Sequence, residues 1–477
     1  MIGELSGGIE LPNLFTLSNP KSGTKPVLDS NYYEQRINSV LGFGQLSYKN
    51  FAFLDFSARN DWSSLLPSAN NSFFYPAISG SLILTDLINL KETKISYIKL
   101  RGGYSKVGGT GALGEYSTNK TFSLASNNFG TQSSLPNTQW NPNIKPESTT
   151  GSEIGLDLNA FNNRIRFAFT YYNQKSTDLI LPLQVEPGSF YTSSWENAGI
   201  MSNKGIEIQL GATIVKAKDF TFDAELNFAK NNNLVESLGT SESYTLGGQW
   251  GMELQARPGE SYGSIVGFPY ARTNSGEIIY ENGLPKKNNT ELAVIGNITP
   301  DWTGGANFTF KYKGIDLSTL IDAKIGGDIF VMSYMWGRYA GTLEESLIGR
   351  ETGIVGNGVV DDGNGGYIPN NVVVNAKTFN QYAYDYSNFT ESGVFDATYV
   401  KLRQVSIGYS LPKTWLKDTF IQDFKLSVVG RNLAILYKKT PHIDPESAFS
   451  SDNGEQGQEF GQLPSARSIG FNINVKF

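Results

Sequence analysis

Arg467-Ser-Ile-Gly-Phe-Asn-Ile-Asn-Val-Lys-Phe477 alternates strictly: Ile469, Phe471, Ile473, Val475 and Phe477 share one parity, and Gly470, Asn472, Asn474 and Lys476 the other. Successive side chains of a β-strand point to opposite faces, so this stretch carries one apolar and one polar face. A tilted strand crossing a bilayer needs about 9–11 residues, and this one is long enough. The final strand of a soluble sandwich, buried on one side, has the same pattern. The rest of the chain decides between them.

The alternation recurs upstream. Ile165, Phe167, Phe169 and Tyr171 oppose Arg166, Thr170, Tyr172 and Gln174; Phe220, Phe222, Leu226 and Phe228 oppose Thr221, Asp223, Glu225 and Asn227. Ionic faces of this kind are too polar for a sandwich interior. They suit either its solvated outside or the wet lumen of a large barrel. One strand changes phase, with Val400 and Leu402 on one parity and Val405, Ile407 and Tyr409 on the other. A β-bulge near Arg403–Gln404 repairs it.

The 477 residues include 24 Tyr, 29 Phe and 51 Gly, a strand-and-turn composition whose aromatics can furnish interfacial girdles. The chain has no Cys, so disulfide and thiolate chemistry are excluded. A net charge of −6 gives no electrostatic case for nucleic acid. No apolar run reaches the length of a transmembrane helix, a test that barrel strands evade.

Thirteen strands are expected, at 36–48, 50–60, 73–84, 95–107, 150–160, 164–176, 204–215, 219–230, 302–312, 315–325, 396–411, 423–436 and 467–477. Tight connections near Lys49-Asn50, 161–163, 216–219 and 313–314 alternate with long ones at 108–149, 177–203, 231–301, 326–395 and 437–466. This order predicts an all-β fold: a partial, antiparallel up-and-down transmembrane β-barrel with short turns at one rim and long loops at the other. With the C-terminus at the short-turn rim, parity calls for at least one more strand before residue 36. Residues 1–35 read as part of a loop, and no signal peptide opens the sequence.

An ordered series of segments then resembles the C-terminal barrel of the SusC/RagA family of TonB-linked outer-membrane transporters. It runs through Arg59-Asn-Asp-Trp-Ser-Ser-Leu-Leu-Pro67, Phe74–Ser81, Ile98–Gly108, Trp140-Asn-Pro-Asn-Ile-Lys-Pro-Glu-Ser-Thr-Thr150 and Glu153–Asp157. It continues through Asn197-Ala-Gly-Ile-Met-Ser-Asn-Lys-Gly-Ile-Glu207, Gly296–Pro300, Tyr399–Tyr409, Gly430-Arg-Asn-Leu433 and Pro464–Arg467, and covers most of 40–477. The resemblance implies the bacterial cell outer membrane, a full barrel of about 22 strands, and long loops on the extracellular side. It also implies uptake of oligosaccharides or peptides with a SusD-like surface lipoprotein, energised by the TonB complex through an N-terminal region. The family's signal peptide, plug domain and TonB box have no counterpart in the sequence. The resemblance brings in no cofactor. The other reading is a soluble or surface-exposed β-rich ligand-binding protein, which predicts Pro/Ser/Gly linkers between domains; none is visible.

Nothing marks an enzyme. His442 is the single histidine, which leaves no Ser-His, Cys-His or zinc arrangement, though composition leaves a carboxylate pair open. The acidic stretch Asn357–Gly366 lacks the EF-hand spacing and reads as a turn, so no metal site is expected. The candidate ligand contacts are loop aromatics: Trp62, Trp140, Tyr191, Trp195, Trp250, Tyr334 and Trp336. Their flat faces suit sugar rings or peptide side chains, or else pin the loops together. In the terminal strand Gly470, Ile473, Val475 and Phe477 resemble the signal read by the outer-membrane barrel assembly machinery.

Overall fold

The computed structural model describes residues 2–4, 8–16, 18–24, 27–29, 33–88, 90, 93–127, 130–288, 292–417, 419–447, 449 and 453–477. Parts of the stretch 1–35 read as a loop therefore lie outside the described residues.

Thirteen long strands form one antiparallel sheet in sequence order. They are β1 (Ile37–Tyr48), β2 (Ala52–Ser63), β3 (Ser72–Ile83), β4 (Ile95–Gly109), β5 (Glu147–Ala160), β6 (Ile165–Gln184) and β7 (Ser193–Lys216). The sheet continues with β8 (Phe220–Leu238), β9 (Trp302–Tyr312), β10 (Ile315–Ile325), β11 (Tyr399–Ser410), β12 (Asp423–Lys438) and β13 (Ser468–Lys476). Every expected strand is present.

Register turns the alternation into continuous faces. One row of partners crosses twelve strands as Tyr48, Ala52, Leu82, Leu100, Leu156, Phe169, Ile208, Phe228, Gly304, Ala323, Val400 and Tyr437. No member is charged. A row on the other face reads Gln45, Asp55, Ser79, Gly103, Glu153, Tyr172, Gly205 and Asn231. A one-residue slip would exchange these faces across a whole strand, so burial of the apolar one fixes the register.

The bulge falls where the phase change requires it. Ile321 faces Leu402 and Leu320 faces Gln404, leaving Arg403 unpaired on β10. On β12 the partners jump from Ala434 to Arg431, and Asn432 there has φ 50°. The Tyr399–Tyr409 and Gly430–Leu433 segments thus meet at one irregularity, which keeps Val400, Leu402, Val405, Ile407 and Tyr409 on the same face.

The tightest turns rely on left-handed backbone: Lys49 and Asn50 (φ 46° and 60°) join β1 to β2, and Lys313 and Gly314 (φ 46° and 87°) join β9 to β10. At the opposite rim the loops are shorter than expected in one place. Residues 177–184 and 193–203 are strand, not loop, and only 185–192 connect β6 to β7; β8 likewise runs on to Leu238. These extensions do not alternate: Leu179, Ile180 and Leu181 are consecutive apolar residues, and Ile180, Leu183, Val235 and Leu238 are buried, so no period-2 signal announces them.

The last three long loops fold together. Leu246, Met252, Leu254, Ile265, Ile295 and Ile298 from 239–301 pack on Phe330, Met332, Met335, Tyr386 and Val394 from 326–398 and on Phe460 from 439–467. Small sheets cross between loops: Ile279–Glu281 runs parallel to Val359–Asp361, and Asp328–Val331 parallel to Gln458–Glu459. Helix α1 (Met332–Ala340) buries Met332, Met335 and Arg338. Helix α2 (Ala376–Ala383) starts at Asn375, whose side chain accepts from the Lys377 and Thr378 amides.

Candidate functional site

The loop cap gathers aromatics that are far apart in sequence. Trp250, in a left-handed turn (φ 49°), meets Trp336 of α1 at 5.3 Å and Tyr386 at 5.3 Å between ring centroids, and Phe460 at 5.6 Å. Trp336 and Phe460 are themselves 5.2 Å apart, edge to face. One face of α1 is buried in the cap core, so Trp336, three residues from Ser333 and Tyr339, remains 44% exposed; Trp250 is 37% exposed. Four rings from three loops therefore form a half-exposed apolar platform. Tyr386 and Phe460 were not among the expected contacts. Their signal was only that they share the long loops of Trp250 and Trp336.

The other expected residues lie elsewhere. Trp140 and Tyr191 pair edge to face at 6.5 Å, with the Lys120 ammonium 5.3 Å from the Trp140 ring. Trp195 packs on the buried cluster of Leu65, Leu66, Leu113, Ile144 and Ile180. Tyr334 stacks near His442 and Phe395, and with Tyr384 it sandwiches the buried Arg338, whose guanidinium donates to Asn380 Oδ1 and Tyr334 Oη. Both act as loop fasteners. Trp62 ends β2 in phase with Leu54 and Phe56, on the apolar face at the rim. His442 Nε2 lies 2.8 Å from Glu345, tying two loops.

Several motif segments converge as a clamp below the cap. Asn197 exchanges hydrogen bonds with the Lys145 amide and carbonyl, both at 2.8 Å, and donates to Asp178 O. Asn141 donates to Trp195 O, Asn70 to Asn143 O and Ile144 O, and Glu147 accepts from the Ile180 amide. Asp361 and Asp362 of the acidic stretch accept the amides of Gly363, Asn364 and Gly366, which is turn geometry.

A second fastening joins the last loop to the wall. Lys401, 6% exposed at the side chain, hydrogen-bonds Asp444 and Glu446. Arg403, presented by the bulge, holds Asp322 at 2.6 and 2.9 Å and also reaches Glu446. Ser465 donates to Asp444, and Tyr399 Oη to Glu446. Elsewhere the polar face is laced by cross-strand pairs such as Gln45–Asp55 (2.6 Å), Arg101–Asp157 (3.6 Å) and Arg166–Glu225 (3.5 Å). Between the loops 239–301 and 326–398 lies a cavity of ≈ 920 Å³, bordered by Arg272, Tyr280, Lys286, Asp361, Tyr367 and Glu391.

Residues 8–433 match the family described as TonB dependent receptor-like, beta-barrel. The chain belongs to that family. The receptor barrel is 27% identical over 98% of its length to TonB-dependent receptor P3 of Formosa agariphila, covering 48% of that protein. It is 29% identical over 43% of its length to TonB-dependent receptor SusC of Bacteroides thetaiotaomicron, covering 22% of it. In three dimensions it superposes on a chain of the RagAB peptide transporter with a TM-score of 0.77, at 21% identity, over 98% of this chain and 50% of that one. The receptor barrel thus spans about half the length of the relatives it matches. The likeness to SusC and RagA read from the motifs is borne out, and its place is the outer membrane.

The apolar row through Leu156, Phe169 and Ile208 is accordingly the lipid-facing surface, and the Glu153 row the lumen wall. Phe169→Arg is expected to destabilise the receptor barrel by about 2–4 kcal/mol, the usual penalty for a cation on the lipid face near mid-membrane. Urea unfolding in lipid vesicles measures it, with Arg166→Phe on the lumen face as the comparison.

Proposed function

We propose that the chain forms the wall and loop cap of a TonB-dependent nutrient importer of SusC/RagA type. Residues 36–477 are the C-terminal part of its barrel, and 1–35 belong to a loop of the same extracellular rim. The ligand is an oligosaccharide or a peptide. A SusD-like lipoprotein closes over the rim, and the TonB complex acts through the N-terminal region of such a receptor. Gly470, Ile473, Val475 and Phe477 serve the barrel assembly machinery. The role is binding and passage, not catalysis.

The observation that carries this reading is the Trp250–Trp336–Tyr386–Phe460 platform. Half-exposed rings held by three interlocked loops offer a rigid stacking surface at little entropic cost, and each aromatic pairing contributes about 0.5–1.5 kcal/mol beyond its buried area. Trp140 with Tyr191 is the second contact point. The test is tryptophan-emission titration of the whole receptor with a panel of oligosaccharides and short peptides. One class should bind, and Trp250→Ala with Trp336→Ala should weaken it roughly 10–100-fold. Unchanged affinity in the double variant would remove the platform from the ligand path.

A further inference from the structure

The two rims differ in charge. The short connections 49–51, 84–94, 161–164, 217–219, 313–314 and 411–422 contain twice as many basic as acidic residues, in a chain of net charge −6. The long connections at the other rim contain about twice as many acidic as basic ones.

The short-turn cations also keep particular company. The Lys49 ammonium lies 5.2 Å from the Tyr48 ring centroid, Lys94 lies 5.5 Å from Phe161, and Lys313 lies 5.4 Å from Tyr312. Among the described residues none of these three lysines makes an ion pair, whereas Arg59, Arg272, Lys401 and Arg403 at the other rim all hold carboxylates. Tyr48 and Tyr312 lie on the lipid-facing parity, and Phe161 is 47% exposed. Phe420, in the 411–422 connection, stacks on Phe477 at 5.6 Å and 11°, and Trp415 beside it is 68% exposed between Lys413 and Lys417. The rings continue the bilayer face of the strands, and the ammonium groups sit at its edge.

We propose that the short-turn rim is a binding surface for anionic glycerophospholipid, in which each ring lies among the upper acyl carbons and its lysine meets the headgroup phosphate. An aromatic at the membrane boundary prefers the interface, and a lysine near an anionic leaflet gains on the order of 1 kcal/mol. Three unpaired lysines around one rim make the preference for anionic lipid additive. The acidic opposite rim disfavours the same lipid, so the surface also sets the orientation of contact.

The test titrates the detergent-solubilised receptor with short-chain phosphatidylglycerol, phosphatidylcholine and inorganic phosphate, and counts retained lipid by native mass spectrometry. Phosphatidylglycerol should bind in preference to phosphatidylcholine. The triple variant Lys49→Gln, Lys94→Gln, Lys313→Gln should lose that preference by roughly a hundredfold at low salt. The turns are solvent-exposed, and heat-modified mobility in gels checks that the variant still folds. Equal binding of the two lipids, an unchanged triple variant, or phosphate binding as tightly as the lipid would each overturn the proposal.

Discussion

Lys401→Met is expected to free the last long loop from the barrel wall. The substitution leaves buried Asp444 without its cation, while Glu446, about a third exposed, keeps Arg403 and Tyr399; removing one partner of a buried pair such as Lys401–Asp444 costs about 3–5 kcal/mol. Burial pushes the Asp444 carboxyl up, but hydrogen bonds from Lys401 and Ser465 bring it below the ordinary carboxylate range. Burial also raises Glu446, which Arg403, Lys401 and Tyr399 bring below that range. A depressed carboxylate stabilises the fold in full above its unfolded value, about 4, and that contribution disappears as pH falls through the folded value. The tether should therefore hold at neutral pH and loosen in acid. Limited proteolysis of 439–467 should accelerate in Lys401→Met at pH 7, and in the parent only on acidification. A variant cleaved at the parental rate would show that Arg403 and the Ser465 contact suffice.

Phe330→Ala is expected to unfold the cap while sparing the barrel. Phe330 is fully buried in the core shared by the three loops, where loss of a phenyl group costs about 3–5 kcal/mol. Phe330 lies in a cluster drawn from the loops alone, while the contacts that hold cap to wall, Val235 and Leu238 with Ala256 and Lys401 with Asp444, lie outside it, so the loss is local. Amide exchange should speed up across 244–267, 328–340 and 394–396 and stay unchanged in β2–β6. The Trp250–Trp336 contact should vanish with it, and ligand affinity too. Uniform acceleration through the strands would mean that cap and barrel fold as one unit.

The wall was legible because a bilayer imposes a period of two on every strand it touches. Phe167, Phe169 and Tyr171 announce β6 without any knowledge of their neighbours. The same rule falls silent at Ser193–Asn203, where Trp195 packs on the Leu65 cluster and Ser194 and Ser202 are buried as well, so apolar and polar residues do not alternate between the faces. The cap was illegible for another reason. Met252, Leu254 and Ile265 lie in strands too short to show a period, and their partners Phe330 and Met335 come from another hairpin. Trp250 and Trp336 stood out as large rings in polar loops, but only the fold brings Tyr386 and Phe460 to them and sends Trp195 and Tyr334 to structural duty.

The bulge at Arg403 makes β11 unusually tolerant of one kind of genetic change. Deleting a residue from a regular transmembrane strand inverts every side chain beyond it and turns charges into lipid. Deleting Arg403 would bring Leu402 and Gln404 into direct succession opposite Ile321 and Leu320, and Val405, Ile407 and Tyr409 would keep their face. The loss would fall on the contacts of the Arg403 side chain with Asp322, Glu446 and Tyr399. At this position a frame-preserving deletion is a side-chain mutation in effect, whereas one turn further along the strand it would rewrite the membrane surface.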